Sequence, residues 1–528
     1  MNKKNTGSYY TPGYLANFIV NRVFLHLKGV KQPQILEPSV GDGAFLRAMQ
    51  KVDGFKEISP ILTAIDVNGR ELSKAKKQWD FSDSSFLKQD FLDFETEKTF
   101  SAICGNPPYI RKNRLSKKQL KKCKDIHECG KLSDKSVKNI WTSFVLKASN
   151  FLEKNGVLAL VLPSELLQVK FAEEIREFLQ NTFERMEIFT FNALLFDSIG
   201  QDTIVLLAYK SSDEPGVYYT NIESEQQLAD KVFDLRKNDA LIDSNLKWNH
   251  HFLNSDEIEF LEKLRGDLET VSFYCDSKPG IVTAANSYFI IDADVEREFN
   301  LAKYTIPVIQ RGAFVNGSVV FEEKDYRDLI NAKKPARLLR FFDKDRDGFS
   351  ESVKAYIKMG EDQKLPERYK CTKRDNWFVI PNISSEPEGF FFKRSHHYPK
   401  ILKNLANIFV TDSAYKIEMR DGFNLDSLIF SFYNSLTLAF SEMLGRYYGG
   451  GVLELTPSEF KNLPLPYLKI TEENFEKFKI QFEGKENIEE ILHVNDRKIL
   501  TPLLGLTVKD IEKVQKIRKK LVNKRFRI

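Results

Sequence analysis

Seven short apolar runs separated by helix-like segments fill the first 210 residues, and few folds accept that rhythm. The runs are Gln34–Glu37, Ile61–Ile65, Ser85–Lys88, Ser101–Gly105, Val157–Leu162, Arg185–Phe191 and Thr203–Tyr209. Strands alternating with helices predict an α/β fold built on a doubly wound, largely parallel sheet. Ahead of the fifth run, Trp141, Phe144, Val145, Ala148, Phe151 and Leu152 share one helical face, and Gly156 is the expected helix stop. In such sheets the ligand lies beyond the carboxyl ends of the strands. That rim carries Glu37, Asp66, Asp90 and Asn106, each at or just past a strand end.

The fourth run breaks into Asn106-Pro107-Pro108-Tyr109. The prolines fix φ and hold their predecessors extended, so Asn106 and Tyr109 sit on a stiff loop. Asn106 has an amide that accepts and donates, and Pro107 offers a carbonyl without an N–H. Such a loop suits an amino group, with the Tyr109 ring as a stacking face. A tight turn with an aromatic plug explains the same four residues. Gly41 and Gly43, in Glu37-Pro38-Ser39-Val40-Gly41-Asp42-Gly43, would let backbone approach a ligand at a helix start. An acid ahead of that turn is unwelcome to a pyrophosphate and favours a cationic or amino-bearing ligand. Asp66 falls where such folds place a ribose-binding acid, and Asp90 is placed to accept from an adenine amino group. Each acid could also be an N-cap or a solvated turn residue.

Together these segments resemble the gamma class of S-adenosylmethionine-dependent DNA adenine-N6 methyltransferases, closely over residues 6–210 and more loosely beyond. Tyr10, Thr11 and Pro12, within Thr6-Gly7-Ser8-Tyr9-Tyr10-Thr11-Pro12, resemble the family's amino-terminal cofactor motif. Glu37, Pro38, Gly41 and Gly43 match its methionine-binding turn, Asp66 its ribose acid and Asp90 its adenine-contacting acid. Asn106, Pro107, Pro108 and Tyr109 match its catalytic loop, Asn106 also bordering the cofactor. Phe196 stands where the family places a second aromatic against the target base. The resemblance implies a Rossmann-like seven-stranded methyltransferase domain at 1–245 and a mixed α+β target-recognition domain at 246–466. A basic helical segment at 467–528 follows. It also implies S-adenosylmethionine as cofactor, duplex DNA as partner, a cognate restriction endonuclease as a counterpart, and a monomer. Pro279–Asn286 and Arg446–Leu455 are similar to segments in the specificity halves of relatives.

Directly after the loop, Arg111 to Lys124 holds eight basic residues and no acid. A solvated helix face explains such a run. Beside a base pocket, Arg111, Lys112, Arg114, Lys117 and Lys118 become candidates for phosphate contact. The formal charge of +5 over 528 residues means that any basic surface is local. Phe390-Phe391-Phe392-Lys393-Arg394-Ser395-His396-His397-Tyr398 reads either as a nucleic-acid surface or as a core strand leading into an exposed turn, and the helix spaced on Val514, Ile517 and Leu521 either touches DNA or packs on the body. The five cysteines form no CxxC pair, and Cys123, His127 and Cys129 lack a second ligand pair, so no metal site is expected. Asp343, Asp345, Asp347 and Gly348 begin a calcium loop, but its twelfth position is Lys354. With no h-region and no run of about 18 apolar residues, a reduced, cytoplasmic setting is expected. Three alternatives stay open: a methyltransferase for RNA or protein glutamine, a modification subunit needing a separate specificity subunit, and a non-catalytic DNA binder.

Overall fold

The computed structural model describes residues 10–53, 55–81, 83–191, 202–238, 248–250, 252–315, 317–342, 348–448, 450–483 and 487–526. Phe196, residues 6–9, Asp343, Asp345, Asp347 and the expected domain junction at 245–246 lie outside the described residues. The chain divides into two compact units, the first running to Glu259 and the second from Phe260.

In the first unit, α1 (Gly13–His26) leads into β1 (Gln34–Glu37), α2 (Ala44–Met49), β2 (Ile61–Asp66), α3 (Gly69–Lys77), β3 (Ser84–Lys88) and β4 (Phe100–Gly105). There follow α4 (Lys117–Cys129), α5 (Ile140–Asn150), β5 (Leu152–Pro163), α6 (Glu173–Thr182), β6 (Arg185–Phe191), β7 (Thr203–Tyr209), β8 (Gly216–Ile222) and β9 (Arg236–Lys237). The sheet order is β3-β2-β1-β4-β5-β7-β6-β8-β9. β1 to β5 are mutually parallel, and β7 runs antiparallel between β5 and β6. All seven expected runs are strands. The sheet is wider than expected, because β8 pairs parallel with β6 and β9 closes the edge.

Both faces of this sheet are covered, which is why its central strands read as unbroken apolar runs. All six residues of β4 are buried. Its side chains alternate between two cores: Phe100 and Ile103 join Trp141, Phe144 and Leu158, whereas Ala102 and Cys104 join Ile19, Val23, Phe45 and Ala64. Helix α5 is buried from Ile140 to Ser149, so it has no polar face, and Asn150 is its last residue.

Gly156 is therefore not the helix stop; it lies inside β5. Between the pairs Phe100↔Leu152 and Ala102↔Val157 the register slips, and the extra residues of β5 bulge out. A Cβ at Gly156 would come within 3.1 Å of the Phe100 and Glu153 carbonyl oxygens. Backbone cannot yield as a flexible side chain can. Gly156→Ala is expected to lower stability by about 1–3 kcal/mol, read as a lower urea midpoint; an unchanged midpoint would show that the bulge has room.

The second unit is mixed α+β. One sheet orders Cys275–Pro279, Ala414–Met419, Gly389–Phe392, Lys400–Asn404 and Val320–Phe321. Phe390, Phe391 and Phe392 are core residues of its central strand rather than a surface for nucleic acid. The helix Val508–Phe526 buries Val514, Ile517 and Leu521, so it packs on its own unit. Its Arg525, 2% exposed, pairs with the buried Glu442 at 2.8 Å. Among the described residues no helix is long and apolar enough to cross a membrane.

Candidate active site

A cleft opens at the carboxyl ends of β1 to β4. It is lined by Tyr10, Thr11, Glu37, Pro38, Gly41, Asp66, Asp90, Asn106 and Pro108. Residues spread over a hundred positions are brought together because every strand ends on the same rim. Gly43 sits nearby at the start of α2, Pro12 caps α1, and Pro107 is buried.

The turn after β1 is stitched to β2. The Val40 N–H donates to the Ile65 carbonyl at 3.1 Å, and the Gly41 N–H donates to Asp66 Oδ2 at 2.8 Å. Asp66 Oδ1 accepts from the Asn68 N–H at 2.7 Å. Gly41 and Gly43 have φ of +55° and +81°, which other residues adopt only under strain. Glycine at 105 then lets the next loop close in, since a Cβ there would lie 3.4 Å from the Pro38 ring. Ser39 Oγ donates to the Asn106 carbonyl at 3.0 Å, tying the two loops together. Asn106 Nδ2 donates to Thr11 Oγ1 at 3.3 Å, which fixes the orientation of its amide.

Glu37 is the electrostatic centre. Its side chain is fully buried, and among the described residues neither carboxylate oxygen has a hydrogen-bond partner. Burial first, then the negative charges of Asp66 and Asp42, push its pKa well above the usual carboxylate range; Arg47 pulls weakly the other way. A buried carboxylate without a partner is strongly unfavourable unless a cation meets it. Asp66 is raised too, mainly by burial, against the pull of its backbone hydrogen bonds.

Asp90 does two jobs. Its Oδ1 accepts from the Leu92 N–H at 3.0 Å as an N-cap, while Oδ2 accepts from Gln119 Nε2 at 3.1 Å. Gln119 also lines the cleft and was not anticipated. Its signal was present, because Ser116-Lys117-Lys118-Gln119 is a capping box, formed here at the start of α4. Phe91, Ile110, Ile140 and Phe144 form an apolar wall of the cleft, of which only Phe144 stood out in the sequence, as one residue of a helical face.

Two placements are not evident from the sequence. Tyr109 does not line the cleft: its ring is 8% exposed within the core, and its hydroxyl donates to the Val161 carbonyl of β5 at 3.1 Å. An open stacking face is absent because that hydrogen bond and the surrounding apolar side chains hold the ring down. The basic run is not free of acids in space: Lys118 and Lys122 approach Asp93 at 2.6 and 3.8 Å, and Lys124 pairs with Asp134 at 2.5 Å. Arg111, Arg114 and Lys117 are exposed, and Lys112 is half-buried beside them. His127 is buried between Ser136 and Thr142 hydroxyls.

The family model described as Eco57I restriction-modification methylase matches residues 44–196, and that for the C-terminal domain of the type II methyltransferase M.Eco57I matches residues 245–500. The chain belongs to the type II restriction-modification methyltransferase family. It is 24% identical to the type II methyltransferase M.AccI of Acinetobacter calcoaceticus, with 94% of each chain covered. M.HincII of Haemophilus influenzae is 25% identical over 43% of this chain and 41% of its own. The Type IIL restriction-modification enzyme MmeI, solved with DNA, shares the fold at a TM-score of 0.63 and 12% identity, covering 99% of this chain and 76% of that one. Cofactor motifs, catalytic loop and carboxyl-terminal half follow one another in the gamma-class order. The family uses S-adenosylmethionine, and the cleft fits it: the lone buried carboxylate of Glu37 calls for a cation, and this cofactor carries an ammonium and a sulfonium.

Proposed function

We propose that the chain methylates the N6 amino group of a flipped-out adenine at specific sites in duplex DNA. The observation that carries the reading is that Asn106 lines the same cleft as Glu37, whose carboxylate has no hydrogen-bond partner among the described residues. When bound, S-adenosylmethionine supplies an electrophilic methyl group on a positively charged sulfur.

Glu37 binds the cationic end of the cofactor, the glycine turn brings backbone against it, and Asp66 takes the ribose hydroxyls. Asp90, held by Gln119, would accept from the amino group of the cofactor's adenine. Asn106 Oδ1 and the Pro107 carbonyl then accept the two amino hydrogens of the target base. The lone pair of that amine is delocalised into its ring; holding both hydrogens in hydrogen bonds turns it toward the methyl carbon, and one of these protons leaves to solvent as the new N–C bond replaces the S–C bond. This is positioning with electrostatic stabilisation, with no covalent intermediate. A base must leave the stack at a cost of a few kcal/mol, which stacking offsets by about 1–3 kcal/mol. Tyr109 and Phe196 are the proposed stacking pair, and a base reaching Tyr109 would first displace the side chains that cover it.

Arg111, Lys112, Arg114 and Lys117 are proposed phosphate contacts, and Lys118 joins them only by leaving Asp93. Residues 246–466 with 467–528 are the proposed target-recognition part, and a cognate endonuclease the proposed counterpart. The purified chain, given labelled cofactor and duplex DNA, is expected to yield N6-methyldeoxyadenosine on nucleoside mass spectrometry. N4-methyldeoxycytidine in its place overturns the base assignment. Label found only on RNA or protein overturns the DNA reading.

A further inference from the structure

We propose that a basic cleft in the second unit grips the sugar-phosphate backbone of duplex DNA; the proposal takes only the identity of the polyanion from the methyltransferase reading. The cleft is lined by Lys278, Lys370, Lys373, Arg374 and Lys416 against a single acid, Glu418.

Lys278 and Lys416 stand directly opposite one another on the antiparallel strands Cys275–Pro279 and Ala414–Met419. Like charges in that position destabilise a sheet. Glu418 relieves little of this, reaching only Lys278, at 3.6 Å between exposed side chains. Lys416 donates instead to Ser384 Oγ at 2.6 Å, a neutral partner. A sheet that places two lysines face to face is built for something that neutralises both.

The opposite wall adds two more ammonium groups. Lys370 and Lys373 are exposed, and neither has a carboxylate partner among the described residues. Lys373 lies 5.7 Å from the ring centroid of Tyr369, which is 73% exposed. The two arginines of this wall serve as braces. Arg368 donates to the Ala284 carbonyl at 3.0 Å, and Arg374 donates to the carbonyls of Thr283 at 2.8 Å, Trp377 at 3.0 Å and Val282 at 3.3 Å. They fix the wall to a turn in which Ala284 has a φ of +71°. Gly280 closes the floor, since a Cβ there would come within 2.4 Å of the Val410 and Thr411 carbonyl oxygens. Ammonium groups on a braced wall are point charges suited to phosphate oxygens, which position a duplex without reading its bases.

The test uses the full chain, the double variants Lys370→Ala/Lys373→Ala and Lys278→Gln/Lys416→Gln, and a fluorescent duplex titrated across about 50–200 mM salt. Each double variant is expected to reduce the slope of log Kd against log salt by about two and to raise Kd about tenfold or more at 0.1 M salt. Cofactor affinity is expected to stay unchanged, and the Lys278/Lys416 variant to melt no lower than wild type, because a repulsion has been removed. Unchanged slopes in both variants overturn the proposal. Unchanged DNA binding with loss of inorganic phosphate binding overturns it as well, making the cleft a small-anion site. Wild type that binds with the expected slope but transfers no methyl group would sink the catalytic reading while supporting the cleft.

Discussion

Asn106→Ala is expected to abolish methyl transfer, by at least 10²–10³-fold in kcat, while the Kd for S-adenosylmethionine moves by no more than about threefold. The Asn106 amide lines the cleft and carries an acceptor oxygen of the kind an incoming amine needs. Its Nδ2 bond to Thr11 fixes its orientation without contributing to the buried end of the cofactor pocket. Steady-state kinetics beside calorimetric titration of the cofactor separates the two effects. Lost cofactor binding with retained turnover would contradict the assignment.

Glu37→Gln carries the second large effect, with opposite signs in the free and the liganded protein. Removing one partner of a buried charge pair costs about 2–5 kcal/mol, so cofactor affinity is expected to fall about 10²-fold or more. The free protein is expected to gain stability, because the carboxylate it loses is buried without a partner. The pH dependence follows from the direction of the shift. The folded pKa of Glu37 lies above its ordinary value of 4.5. Above pH 4.5 the unfolded chain therefore releases a proton that the folded chain retains. Stability from this group is complete below 4.5 and is lost as pH rises toward the folded value. Urea midpoints of the free protein between pH 5 and 8 should thus fall more steeply for wild type than for the variant. Parallel curves would mean that Glu37 has a compensating partner.

Much of this site was legible in the chain because its parts are local. A strand followed by an acid, a glycine pair with positive φ, and a proline-stiffened loop each announce themselves within ten residues, and the doubly wound rhythm puts them on one rim. What stayed hidden depends on three-dimensional neighbours. β8 was missed because half-buried positions interrupt its buried ones, so it is not an unbroken apolar run. Gly156 carried a helix-stop signal, yet a bulge opposite Phe100 was the stronger demand on it. Nothing in the sequence separates a Tyr109 that faces a ligand from one whose hydroxyl is tied to Val161. The basic run was acid-free in sequence, but Asp93 and Asp134 arrive from other segments to engage it. In the second unit, Phe390 to Phe392 became core because the strand carrying them pairs on both sides.

The Ser39 hydroxyl bonded to the Asn106 carbonyl, with Pro38 lying against Gly105, makes the two halves of the cleft mechanically one piece. A ligand that shifts the turn after β1 shifts the loop after β4 with it. Thermodynamic reciprocity then ties the two substrates together: whatever factor the occupied cofactor pocket contributes to the grip on the acceptor base, an engaged base returns to the cofactor.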